Sequence, residues 1–144
     1  MKTFFLSSRA GLALALCLGS SLGEAQASWF RTSEQEARDF FAAGKYAEAA
    51  NTFEDHYRRG VAQYRNGDYQ SAAQSFSQVK REDVRLDALY NLGNARFRLG
   101  SYENAVEAYE SVLKEDPFAE DARHNLALAR MMLAKVEEEQ RRKE

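Results

Sequence analysis

Cysteine, proline, histidine and tryptophan are all scarce in this 144-residue chain: one Cys, one Pro, two His and one Trp. Each scarcity excludes something. The single cysteine, Cys17, lies near the N-terminus, so residues 28–144 can form neither a disulfide nor a thiolate site. That part of the chain must be held together by packing alone. A single proline fits a helical chain, because proline removes a helix hydrogen bond. His56 and His124 fall on separate predicted helices, and neither has a second ligand at metal spacing. No metal or other cofactor is expected. There is no glycine-rich phosphate loop, since the glycines fall at helix ends or helix contacts. No serine is placed by the pattern beside a histidine base, so the chain reads as a protein without catalytic activity. No charge of one sign dominates either. A net charge of -2 and a pI of about 5.8 leave no basic footprint for nucleic acid.

The apolar run Ala10–Leu18 is well short of the ~20 residues a membrane-spanning helix needs. With Lys2 and Arg9 before it and the small-x-small pattern Ala25-Gln26-Ala27 after it, residues 1–27 read as a cleaved secretory signal peptide. The short run disfavours a retained anchor. The bulky Leu16 disfavours a lipoprotein signal at Cys17. Cleavage removes Lys2, Arg9 and Glu24 and moves the net charge from -2 to -3. Residues 28–31, with Trp29 and Phe30, form an entry arm that either packs on the first helix or docks another chain.

What is present suits a helical core: 44% apolar residues and 12% aromatics. The clearest unit is residues 86–119. Leu89, Leu92, Ala95 and Leu99 share one helical stripe. Gly100-Ser101 then breaks the helix, with Ser101 a candidate cap. Tyr102, Ala105, Tyr109, Val112 and Leu113 make a second stripe, and Asp116-Pro117 stops it. Gly93 and Ala105 are small enough to let the two helices approach closely.

The unit repeats. Gly60, Ala62, Gly67, Tyr69, Ala72 and Phe76 recur 33 residues later as Gly93, Ala95, Gly100, Tyr102, Ala105 and Tyr109. Gly44, Tyr46, Ala49 and Phe53 precede the same series by only 23 residues. The first unit is therefore cut short after Phe53, which predicts a shortened helix and an abrupt junction near Asp55. Its opening helix is expected over 32–43, with Ser33 and Glu36 as a capping box. Asp55 and Asp68 are candidate caps for the second unit. After the central unit, residues 118–139 read as one long helix. Its Ala119, Ala122, Leu126, Ala129 and Leu133 cover the open end of the stack, and its outer face is polar. Residues 32–139 are thus the helical repeat domain, and 140–144 a charged end.

The order of Leu92-Gly93, Gly100, Tyr102, Ala105, Tyr109 and Pro117 resembles the tetratricopeptide (TPR) repeat. Arg96 and Val112 stand where that pattern usually has an aromatic and an alanine. The resemblance implies an all-α, TPR-like solenoid of about three helix hairpins plus a long C-terminal capping helix. The first helices of successive hairpins would then line a binding groove. In this register the groove collects Tyr57, Tyr64 and Arg65, then Tyr90, Asn91, Asn94, Phe97 and Arg98, then His124, Asn125, Leu128 and Met131. Asn and Arg suit peptide backbone and carboxylate; Tyr and Phe suit apolar side chains. Tyr64 and Phe97 either face this groove or fill the core.

Three runs carry a closer resemblance: residues 29–35, residues 44–50 with Phe53-Glu54-Asp55, and residues 59–69 with 90–95. They are similar to the TPR region of bacterial BatB/BatC-type aerotolerance proteins, which are associated with von Willebrand factor A (VWA) domains. Arg58 stands where that group usually has Trp. The resemblance implies a periplasmic scaffold that partners membrane VWA-domain proteins in envelope or oxidative-stress tolerance and meets the membrane only through them. The alternative is a self-associating structural protein of envelope assembly with no dedicated peptide ligand.

Overall fold

A computed structural model describes residues 31–144. The expected signal peptide, and Trp29 and Phe30 of the entry arm, lie outside the described residues. Seven helices follow in order: α1 (Ser33–Ala42), α2 (Tyr46–Thr52), α3 (His56–Arg65), α4 (Tyr69–Ser77), α5 (Arg85–Arg98), α6 (Tyr102–Glu115) and α7 (Glu120–Arg141). A single 3-10 turn, Glu82–Val84, leads into α5. The described residues contain no strand. Each helix packs on the next, and α5 also touches α3 and α7, so the first helices of the hairpins share a layer. This is the all-α solenoid of three hairpins and a longer terminal helix that the TPR resemblance implies.

One device closes each hairpin. At Gly100 the backbone takes φ +75°, where a Cβ would be strained. The Gly100 N–H then bonds the Phe97 carbonyl, and the Ser101 N–H bonds that of Arg96. This satisfies carbonyls that a helix end leaves free. Gly44 and Gly67 close the other two hairpins in the same way. The caps differ. Asp55 and Asp68 accept the N–H of Arg58 and Ser71, as expected. Ser101 stands at the start of α6 but makes no side-chain cap bond. Ser33 is itself the first residue of α1, and its hydroxyl donates to Glu54.

The shortened first repeat appears as predicted. α2 has only seven residues, and Phe53 is already extended. Stopping the helix there leaves the N–H groups of Glu54 and Asp55 without helical partners. Glu34 supplies one. Its Oε1 accepts both N–H groups at 3.0 and 3.1 Å, and its Oε2 accepts from Arg58 Nη1 at 2.7 Å. Arg58, the departure noted in the sequence, is therefore half of the clamp at this junction. Burial opposes ionisation of Glu34, but the Arg58 guanidinium and the two N–H groups outweigh it and hold the carboxyl below its usual range. A depressed folded-state pKa gives stability above the unfolded pKa, and that stability is lost as pH falls through the folded value. Glu34→Ala should therefore cost about 1–2 kcal/mol near neutral pH. In melting curves against pH, the gap to the parent protein should close in acid.

The core is built from small residues. Ala37, Ala49, Ala62, Ala72, Ala95, Ala105 and Ala129 are fully enclosed, and Phe53, Phe76 and Tyr109 fill the spaces between helices. Gly60 faces Phe76 and Gly93 faces Tyr109 so closely that a Cβ would sit 2.8 and 2.6 Å from the rings. On α7, Ala122, Leu126 and Ala129 are buried as expected, whereas Ala119 and Leu133 are only half-buried. Leu99, assigned to the inner stripe, is 41% exposed. It follows the last regular residue of α5 and precedes Gly100, so the helical period no longer sets its direction.

Candidate functional site

A repeated aromatic contact builds one wall of the site. Each hairpin carries aromatic-x-x-Gly-x-Tyr: Phe41 to Tyr46, Tyr64 to Tyr69, Phe97 to Tyr102. In each, the two rings meet edge to face across the turn, with centroids 5.2, 5.1 and 5.3 Å apart. This geometry suits the ring quadrupoles. It also settles the two roles left open for Tyr64 and Phe97. Each packs on its own hairpin and also lines a pocket of about 160 Å³.

That pocket is lined by Tyr64 of α3, Asn94, Phe97 and Arg98 of α5, Tyr109 of α6, and Asn125 and Leu128 of α7. Six of the seven are residues that the sequence register assigns to the groove. The remaining candidates surround it. Tyr90 accepts a hydrogen bond from Asn125 at 2.9 Å. Asn91 lies beside Asn94 and hydrogen-bonds Tyr57. Tyr57 packs on Phe76, and burial, with Asp87 nearby, pushes its phenol pKa up. Arg65, His124 and Met131 are exposed at the end of α3 and along α7.

A polar network forms the floor. Asn94 Oδ1 accepts from the Tyr109 hydroxyl at 2.8 Å and from Asn125 Nδ2 at 3.0 Å. Tyr109 was read from its spacing as a core residue. It is one, at 1% exposure, but its hydroxyl reaches the pocket. Burial pushes that phenol well above the usual tyrosine range, so it stays a neutral donor. The network leaves two groups open. Asn94 Nδ2 reaches Asn91 only at 3.5 Å, too far for a strong bond. Asn125 Oδ1 meets no donor among the described residues. Asn94 and Asn125, which line the pocket, therefore keep one weakly held amide donor and one amide acceptor, the complement of a peptide group.

Arg98 completes the rim. Its guanidinium lies over the Tyr69 ring at 4.5 Å, which ties α5 to the preceding hairpin. No carboxylate among the described residues pairs with it. A larger depression of about 510 Å³ lies between α4, α5 and α6. It is lined by groups such as Gln70, Gln74, Arg96 and Asn104, with no aromatic wall, and its floor lacks a comparable network. Arg96, the other departure from the repeat pattern, lies here and donates to the Asn104 carbonyl at 3.1 Å.

Two overlapping stretches, residues 57–120 and 90–144, match the family model described as tetratricopeptide repeat. The chain belongs to the tetratricopeptide repeat family. The family is known as a protein-interaction module. Among the described residues no cluster of His, Cys, Asp or Glu could hold a metal ion, and no helix is long and apolar enough to cross a membrane. Three solved structures share the fold. The first TPR of Spaghetti (RPAP3), bound to HSP90 peptide SRMEEVD, is 24% identical, with a TM-score of 0.62 over 71% of this chain and 90% of that one. The first TPR domain of human RPAP3 is also 24% identical, with a TM-score of 0.63 over 74% and 93%. The Sgt2 TPR domain from Aspergillus fumigatus is 21% identical, with a TM-score of 0.60 over 76% and 80%. No curated protein sequence matches the chain.

Proposed function

We propose that the chain is a periplasmic adaptor whose pocket between α3, α5 and α7 takes a peptide segment of a partner protein. The observation that carries this reading is the paired donor and acceptor of Asn94 and Asn125, set between apolar Phe97 and Leu128 with an unpaired arginine at the rim. A backbone amide fits the floor, an apolar side chain fits the walls, and a carboxylate fits Arg98. A structure of the same fold holds a short peptide, which supports this use of the surface.

The signal-like N-terminus supports export, and the resemblance to the BatB/BatC-type TPR region supports membrane VWA-domain proteins as partners in envelope or oxidative-stress tolerance. The test is a random peptide display library panned against the purified protein. Selected peptides should bind Arg98→Ala and Leu128→Glu at least ~10-fold more weakly, as expected at the centre of a contact. The helical signal of both variants should be unchanged. Peptides indifferent to both changes would remove the pocket from the account.

A further inference from the structure

α7 has a flank that the repeat pattern leaves open. In the two preceding repeats a small residue on the first helix receives a ring from the second: Gly60 receives Phe76 and Gly93 receives Tyr109. On α7 the pair Leu126-Ala127 follows Leu92-Gly93 by 34 residues, which makes Ala127 the corresponding position, and the second family match, residues 90–144, places α7 within the repeat. Ala127 is exposed, and among the described residues α7 packs mainly on α6 with a lesser contact to α5. The flank around it carries Met131, 60% exposed, with Leu128 and Ala134 beside it. Glu120 and His124 stand at one end of this flank; Glu138 and Arg142, which pair with each other along the helix, stand at the other and would be shared with the second copy.

That distribution is complementary to itself. We propose that this flank pairs with the same flank of a second copy, the two α7 helices running antiparallel with a two-fold axis at Met131. In this register Met131 meets Met131 and Leu128 meets Ala134. His124 meets Glu138 and Glu120 meets Arg142, and the symmetry makes each of these pairings twice. Apolar contact lies at the centre and a Glu120–Arg142 pair at each end, along a helix about 33 Å long. The register is specific. Sliding one helix by a turn in one direction sets Glu120 against Glu138; sliding it in the other sets Met131 against Lys135 and Leu128 against Glu138. The flank shares Leu128 with the pocket wall but leaves the Asn94–Asn125–Tyr109 floor outside the contact. On the adaptor reading, two copies would hold two peptide sites side by side, with Leu128 at the edge of each.

Sedimentation of the full chain over a concentration series tests the pairing. The parent protein should shift from monomer toward dimer as concentration rises. Met131→Glu should raise the dissociation constant about tenfold or more, because two carboxylates would face each other at the axis. Arg142→Glu should weaken the dimer through the Glu120 contact, and Glu120→Arg with Arg142→Glu together should restore it. A merely structural role for either residue would not produce that rescue. Met131→Cys in a Cys17→Ser background should yield a disulfide-linked dimer on oxidation. Circular dichroism keeps the Met131→Glu result separate from unfolding. A monomer up to several hundred micromolar, or a dimer unchanged by the charge reversals and not linked through position 131, overturns the proposal.

Discussion

Gly93→Ala is expected to lower the melting temperature by about 5–15 °C, equivalent to about 1–3 kcal/mol of overpacking. Alanine is the better helix former by ~1 kcal/mol, so propensity alone predicts the opposite sign. Space decides the outcome. The new Cβ would lie 2.6 Å from Tyr109 Cε1 and 2.9 Å from Cδ1. The ring has nowhere to go: it is 1% exposed, packs on Tyr90, and its hydroxyl is held by Asn94. Gly60→Ala meets Phe76 at 2.8 Å, but that ring has no hydroxyl anchor. The loss there should be smaller. Thermal denaturation followed by circular dichroism ranks the two variants, and a stabilised Gly93→Ala would show that α5 and α6 are not in contact as described.

Asn94→Ala should destabilise the fold by about 1–3 kcal/mol, the cost of leaving a buried donor without its acceptor. From sequence, Asn94 and Arg98 look alike, two polar residues on the groove face that could be cut without harm to stability. The structure separates them. Asn94 Oδ1 is shared by the Tyr109 hydroxyl and Asn125 Nδ2, and so joins α5, α6 and α7. Arg98 is exposed and rests on Tyr69 alone. Truncating Arg98 should therefore spare stability, apart from a cation–π contact worth roughly 0.5–1 kcal/mol at an exposed site. Tyr109→Phe should cost less than Asn94→Ala, because Asn94 keeps Asn125 as a donor. Denaturant midpoints for both single variants and the double variant should give a coupling of roughly 1 kcal/mol. Strict additivity would mean that the hydroxyl and the amide do not share a bond.

These two residues also show what could be read without coordinates. The close approach of α5 and α6 at Gly93 was legible because glycine, alanine and aromatic residues recur at a fixed offset, and close helix packing requires that order; that the Tyr109 ring is what meets Gly93 was not. The shortened first repeat was legible for the same reason, from an offset of 23 in place of 33. The clamp that repairs it was not. Glu34 acts on backbone groups of Glu54 and Asp55, and a carboxylate serving a loop leaves no periodic trace. Spacing likewise placed Tyr109 in the core but could not show that its hydroxyl would cross to Asn94. The edge-to-face pairs at the turns were available as a pattern, aromatic-x-x-Gly-x-Tyr three times over. That pattern explains why Tyr64 and Phe97 serve core and pocket together.

The most direct test of the central claim uses a photo-crosslinking amino acid introduced at one of two places in the intact protein in its host cells. Arg98 marks the rim of the pocket between α3, α5 and α7, and Gln74 marks the larger depression beside α4. The account predicts discrete crosslinked partner bands from position 98 and none from position 74. Equal crosslinking from both positions, or partners captured only from position 74, would contradict it.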